Sequence, residues 1–404
     1  MPWHRAVRRQ GRASLSPAVT RGIPFMATSP LRVGIVGAHP ERGWAQAAHI
    51  PALLRMPEFR LQAVATTRQE SAEATAQRHG VPQAFGDWRR MLAEAELDVV
   101  IVAVKVPFHR EIVLAAAEAG RHVFCEWPLG LDAAEAEAML AAVEARGLRH
   151  MVGLQSHVHP TLVQARDLVA GGAIGKVVSA TLVSSLNNWA PVVPAAEAYR
   201  MDARHGATAL TVPGGHSLDA LAFCVGGFAE LSAIAAPQQP AARIVETGET
   251  IPFTAPTQVL VTGRLTSGAV ASVHVKADIR VPTGVRLEIN GTRGDLVIAT
   301  HPPVGRAPVG IQRVALTLHA ALDGGRELLQ VEVPDPDAES VAAVPEGAPR
   351  FTARLLRRFA AAVVAGGAAE PDFRTALDLH RLLDAIQEAS RSGRTQSLPG
   401  RDLA

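Results

Sequence analysis

The run Leu31-Arg-Val-Gly-Ile-Val-Gly-Ala-His-Pro-Glu-Arg-Gly-Trp44 sets glycines at 37 and 43 between a β-branched run and a stretch with Trp44, Ala47, Ala48 and Leu53 at helical spacing. Strand, glycine turn and helix is how a doubly wound domain receives a dinucleotide: a glycine lets the backbone approach the pyrophosphate, and the helix start offers free N–H groups. The pattern departs from G-x-G-x-x-G, because His39 stands at the second glycine and Gly43 comes one residue late. Gly37, Ala38, His39, Arg42, Gly43 and Trp44 are therefore candidate cofactor contacts, with His39 and Arg42 on the pyrophosphate or adenine side. Such turns also occur without a nucleotide, so the neighbouring elements must decide.

Phe59 to Thr66 reads as the second strand, and an acid at its end would bind the 2′-hydroxyl of NAD. The residues there are Thr66, Thr67 and Arg68; a guanidinium with hydroxyls favours a 2′-phosphate, hence NADP over NAD. Lys105 follows the apolar run Val99–Val104 and is placed to reach a phosphate, a ribose or a substrate, or to stand as a solvated loop lysine. His109 begins the next helix and reads as positional. Gln155 ends the last strand of the first domain and points to ribose or substrate. His216 titrates near neutrality as a free imidazole and is a candidate acid/base, the alternative being a structural histidine near a helix start.

Strands and helices alternate from Leu31 to Leu154, so a parallel sheet covered on both faces is expected. Beyond it come a helix from Pro160 to Ala170, a strand from Lys176 to Leu186, a helix around Gly214 to Val225 and then strands without intervening helices, separated by Thr266-Ser-Gly268 and Asn290-Gly-Thr-Arg-Gly294. Residues 236–256 and 300–310 read as Pro-rich connections, and two helices close the chain. The fold class is α/β: an N-terminal Rossmann domain, 28–150, and an α+β domain with a large open, mostly antiparallel sheet, 151–392. Residues 1–27, rich in arginine and free of acids, and 393–404 read as tails.

With 404 residues and a net charge of +2 from 40 basic and 38 acidic side chains, the chain has no bulk field to attract nucleic acid or an anionic membrane. Two cysteines make no disulfide framework, which points to a reducing cytoplasm, and Cys125 reads as inert. His157-Val-His159 lacks a third ligand at sensible spacing, so no metal is expected.

Taken together, the opening turn, Val99–Val104 with Pro107-Phe-His109, Val123-Phe-Cys-Glu-Trp-Pro128, Gly214-Gly-His216 with Asp219, and Gly291-Thr-Arg-Gly294 resemble the family of glucose–fructose oxidoreductase, inositol dehydrogenase and rhizopine-catabolism proteins. Arg42-Gly-Trp-Ala45, His49-x-Pro51, Glu126-Trp127, Gly153-Leu-Gln155 and Gly291-Thr-Arg-Gly-Asp-Leu296 are most similar to the branch of the yeast galactose-pathway repressor.

The resemblance implies a nicotinamide cofactor at the carboxyl ends of the first-domain strands, with Val104, Lys105, His109, Glu126, Trp127, Pro128 and Gln155 near it. It also implies a sugar-like or polyol substrate and a homodimer or homotetramer formed through the C-terminal sheet. The family's catalytic groups are a Lys in Glu-Lys-Pro and an Asp four residues before a His. Here Trp127 replaces the Lys and Val212 the Asp, leaving His216, with Lys105 as a substitute cation. An indole transfers no proton; it offers a face for stacking on nicotinamide or sugar, or lines the floor of the domain junction. Two functions follow: an NAD(P)-dependent oxidoreductase, or a silent NAD(P)-binding regulator.

Overall fold

The computed structural model describes residues 29–300 and 310–398; the expectations for 1–27, for 301–309 and for 399–404 lie outside the described residues. Six strands form the first sheet: β1 (Leu31–Val36), β2 (Phe59–Ala65), β3 (Gln83–Phe85), β4 (Val99–Val102), β5 (His122–Cys125) and β6 (His150–Val152). They run parallel in the order β3-β2-β1-β4-β5-β6. The order reverses between β1 and β4, which opens a crevice beyond their carboxyl ends. All four β4 residues are fully buried, as a continuous apolar run predicts for a central parallel strand.

The connecting helices are α1 (Ile50–Leu53), α2 (Gln69–His79), α3 (Trp88–Glu94), α4 (His109–Glu118) and α5 (Ala133–Glu144). Asp87 Oδ1 caps α3 by accepting from Arg89 N at 2.9 Å, and Asp132 Oδ1 caps α5 from Glu135 N at 2.9 Å. The segment after Gly43 departs from the expected regular helix. A π-helical turn, Ala45–His49, precedes α1, because Pro51 has no N–H to offer the Ala47 carbonyl and the ladder is interrupted there.

The chain then enters the second domain through α6 (Pro160–Ala170) and β7 (Val177–Ser185). A small sheet follows from β8 (Val192–Val193), β10 (Ala241–Ile244) and β11 (Thr250–Pro252), so the expected connection 236–256 carries two short paired strands. Those strands are too short and too closely flanked by prolines to show an alternating pattern. Nine strands make the large sheet: β7, β9 (Phe228–Ala236), β12 (Gln258–Leu265), β13 (Val270–Lys276), β14 (Gly284–Gly291), β15 (Asp295–Thr300), β16 (Leu316–Ala321), β17 (Leu329–Gln330) and β18 (Gln396–Ser397). Their order is β17-β16-β15-β14-β7-β13-β12-β9-β18. Every pairing is antiparallel except β7 with β13, whose connection passes through α7 (Gly215–Val225). Part of the expected C-terminal tail thus becomes an edge strand on β9.

Two long helices bind the domains together. On α8 (Ala348–Ala365), Leu355, Leu356 and Phe359 share a core with Val33, Ile35 and Phe124 of the first sheet. On α9 (Phe373–Ser392), Leu377, Leu383 and Ile386 share one with Met139 and Leu140 of α5 and Leu231 of β9. Each such side chain contributes about 1.5–3 kcal/mol on burial.

Candidate active site at the domain crevice

The glycine turn is built for close approach. Gly37 sits at φ +101° and its N–H donates to the Ala65 carbonyl at 2.9 Å. A Cβ there would collide with the Ala103 carbonyl, so only glycine fits. Thr75 Oγ1 on α2 donates to the Ala38 carbonyl at 2.7 Å, and Arg78 Nη1 to the Pro40 carbonyl at 2.7 Å, which pins the turn to the neighbouring helix. Gly43 closes it at φ +89°. Trp44 follows, half-buried, with its indole N–H buried and without an acceptor among the described residues.

The end of β2 carries the features expected for the adenosine end. Thr66 Oγ1 donates to the Arg68 carbonyl at 2.8 Å and meets Ser71 Oγ at 2.5 Å, which turns the chain into α2 and leaves Thr67 and Arg68 exposed. Burial lowers the pKa of His39, and the charges of Arg42 and Arg68 lower it further. Arg42 and Arg68 both lie close enough to His39 to act on it, so they form one positive field beside a ring held toward its neutral form, and neither arginine has an ion-pair partner among the described residues.

The carboxyl ends of β4 and β5 supply the next groups. Val104 packs toward Gly37 and gives its carbonyl to His109 Nε2 at 3.0 Å. His109 is 1% exposed, and its Nδ1 lies 2.9 Å from the Pro128 carbonyl. It ties the loop after β4 to the loop after β5, which makes it a positioning residue with no ring nitrogen left for a ligand. Lys105 is exposed, with Nζ 4.2 Å from the ring centroid of Tyr199, a second-domain residue. Glu126 Oε1 sits 2.5 Å from Nε2 of the fully buried His49.

Trp127 lies at the domain junction. Its Nε1 donates to the Thr211 carbonyl at 2.7 Å, Gly215 lies so close that a Cβ there would strike the indole, and the His380 ring centroid is 4.7 Å away. At 6% exposure the ring is enclosed by the second domain. Apolar area and a buried donor are better satisfied there than at an open cofactor face. The indole forms a wall of the junction.

Opposite lie Gln155, Ser156, His216 and Asp219, each 5% exposed or less. Gln155 Oε1 and Nε2, Ser156 Oγ, His216 Nδ1 and Asp219 Oδ2 have no hydrogen-bond partner among the described residues. Asp219 Oδ1 is 2.9 Å from His157 Nε2. Native interiors satisfy nearly all such atoms, so a cluster of five marks a place where ligand or water completes the bonding. His216 does not titrate near neutrality as expected. Burial pushes its pKa down to about 4, only partly opposed by Asp219, because no carboxylate stands at 212 and Asp219 is engaged by His157. The imidazole is neutral at pH 7, an acceptor and donor for a hydroxyl. His157 and His159 diverge, the latter placing Nε2 3.1 Å from the Val314 carbonyl.

Several of these groups escaped the sequence reading. His49, Gly153, Gly215 and Asp219 carry only a place in a family motif, and Ser156 carries no signal at all. A buried histidine beside an acid far away in sequence leaves no periodic signal.

The family profile described as an oxidoreductase family with an NAD-binding Rossmann fold matches residues 31–154, and the profile of the Gal80p C-terminal domain matches 160–300. Levoglucosan dehydrogenase of Pseudarthrobacter phenanthrenivorans is 30% identical over 290 residues, covering 66% of this chain and 73% of that protein. The dehydrogenase aclE of Aspergillus oryzae is 33% identical over 210 residues, 50% of this chain and 57% of that one. The galactose/lactose metabolism regulatory protein GAL80 of Saccharomyces cerevisiae is 26% identical over 288 residues, 66% of each. The chain thus spans less than two thirds of the length of two of these curated relatives. Among solved structures, the apo form of levoglucosan dehydrogenase superimposes with a TM-score of 0.80 at 24% identity, covering 93% of this chain and 100% of that one. The crevice and its glycine turn define a nicotinamide-dinucleotide-binding protein. The chain belongs to the Gfo/Idh/MocA oxidoreductase family.

Proposed function

We propose that this chain is an NAD(P)-dependent oxidoreductase acting on a sugar, polyol or related hydroxy compound. The observation that carries this reading is the set of five buried, unpartnered polar atoms on Gln155, Ser156, His216 and Asp219. A polyhydroxylated ligand supplies both donors and acceptors to such a set, which an apolar ligand does not. The name of levoglucosan dehydrogenase points the same way. The residues present fit a nicotinamide dinucleotide, with Gly37 clearing space for it, Trp44 offering an unused N–H, and Gln155 an unused amide.

When bound, the cofactor accepts or donates the hydride. His216 holds the reacting hydroxyl through a neutral imidazole, and a carbinol proton leaves through that ring or a water beside it. Holding the substrate in place supplies much of the rate where no strong base is present. Lys105, at the mouth of the crevice over Tyr199, adds positive charge for a phosphate, a ribose or the substrate. Arg42 and Arg68 favour NADP over NAD. Ile234 and Leu260, cross-strand partners exposed on the outer face of the large sheet, support a homodimer or homotetramer through that face. The test is a panel of aldoses and polyols offered with NADP and NAD, followed by the absorbance of the reduced cofactor. Turnover on at least one member that falls in His216→Asn supports the reading; tight cofactor binding with no turnover on any overturns it.

A silent NAD(P)-binding regulator is the second reading, favoured by Trp127 and Val212 in place of the family's Lys and Asp. Trp127→Lys combined with Val212→Asp separates the two. Gain of dehydrogenase activity points to the regulator, and flat or falling activity to the enzyme.

A further inference from the structure

The turn that leads into β16 brings Arg313 back across the crevice. Its guanidinium Cζ lies 5.2 Å from the ring centroid of Trp44, the residue directly after Gly43. No carboxylate lies within 4.0 Å of it among the described residues, and the segments outside them hold one acidic side chain, Asp402. Glu197 acts on it only through space, and burial lowers its pKa from the usual arginine value. Beneath it, the Trp44 indole N–H is buried and lacks an acceptor among the described residues. Two sets of donors therefore meet at one place with no acceptor, one set being a partly buried cation that is costly to leave unpaired.

We infer that Arg313 and Trp44 form a clamp, reaching from the second domain onto the glycine turn, for the diphosphate of the bound dinucleotide. The inference rests on the reading that this crevice binds a nicotinamide dinucleotide, whose diphosphate lies at the turn between the first strand and the following helix. A guanidinium fork matches paired phosphate oxygens, and the indole under it fixes the fork's plane. Arg42 and Arg68 serve the adenosine end, and Lys105 faces Tyr199, so the diphosphate is the anion left for Arg313. Because Arg313 belongs to the second domain and Trp44 to the first, cofactor binding also ties the two walls of the crevice together.

The test uses the full chain and calorimetric titration with NADPH, ADP-ribose and adenosine 2′-monophosphate, the last lacking the diphosphate. Arg313→Gln is expected to weaken NADPH and ADP-ribose about tenfold to a hundredfold, the range of a hydrogen bond to a charged group, and to leave adenosine 2′-monophosphate unchanged. Trp44→Phe, which keeps the ring and removes the N–H, is expected to give a smaller loss with the same selectivity and guards against a folding defect in Arg313→Gln. Equal ADP-ribose affinity in wild type and both variants overturns the inference, as does equal weakening of all three ligands. If the wild type binds none of the three, the cofactor reading itself falls and takes the clamp with it.

Discussion

The carboxylate of Glu126 occupies the space that a side chain at residue 153 would need: a Cβ on Gly153 would collide with Oε2, while Oε1 lies 2.5 Å from His49 Nε2. One acid thus joins the carboxyl ends of β5 and β6 to the π-helical turn after the glycines. Gly153→Ala must push Glu126 out of this arrangement or shift β6. It is expected to destabilise the protein by about 1–3 kcal/mol in urea denaturation and to weaken cofactor binding in a titration. An unchanged midpoint and affinity would show that Glu126 has another position of equal energy.

Gly215 and Trp127 make a second such contact. Gly215→Ala runs a methyl into the indole, and Trp127→Phe strands the Thr211 carbonyl, each at about 1–3 kcal/mol. Because both changes act on one contact, the double variant should cost less than their sum, with a coupling of about 0.5–3 kcal/mol in a denaturation cycle. Additive losses would place the two residues in independent environments.

Stability should fall on the acid side. His159, His216 and His380 are buried, with pKa values lowered by burial from 6.5 to about 4. Between those values the unfolded chain binds protons that the folded one does not, so stability rises with pH across this window and is lost as pH falls from 6.5 toward 4. Each pKa unit is worth about 1.4 kcal/mol per group. Urea midpoints should drop steeply from pH 7 to pH 5 and stay level above pH 7. A flat profile below pH 6.5 would contradict the burial of these rings.

Arg68→Ala removes an unpaired guanidinium from the positive field at the end of β2. NADPH affinity should fall about tenfold or more, as for loss of a hydrogen bond to a charged group, with NADH affinity little changed. Equal effects on both cofactors, or tighter NADH binding in the wild type, would remove the preference for NADP.

The first domain could be read from the sequence almost strand by strand, because Val99 to Val102 and Leu31 to Val36 are β-branched runs between clear turn signals. The second was harder. β9 carries Ile234 outward and alanine inward, so its alternation is masked, and β10, β11, β17 and β18 are only two to four residues long. At the site, the glycine turn, Lys105 and His216 stood out by type and position. The environment that lowers the His216 pKa, the enclosure of Trp127 and the Glu126–His49 pair depend on contacts between segments far apart in the chain, and no local spacing records them.

Cofactor bound at Gly37–Trp44 is proposed to react with a carbinol held beside His216. The most direct test offers the protein NADP with polyols deuterated at the carbinol carbon and analyses the recovered cofactor by mass. Transfer of deuterium to the nicotinamide ring, reduced or abolished in His216→Asn, is the predicted result. Cofactor that binds tightly yet returns unreduced and unlabelled from every polyol would contradict the account and leave a protein that reads the cofactor without using it.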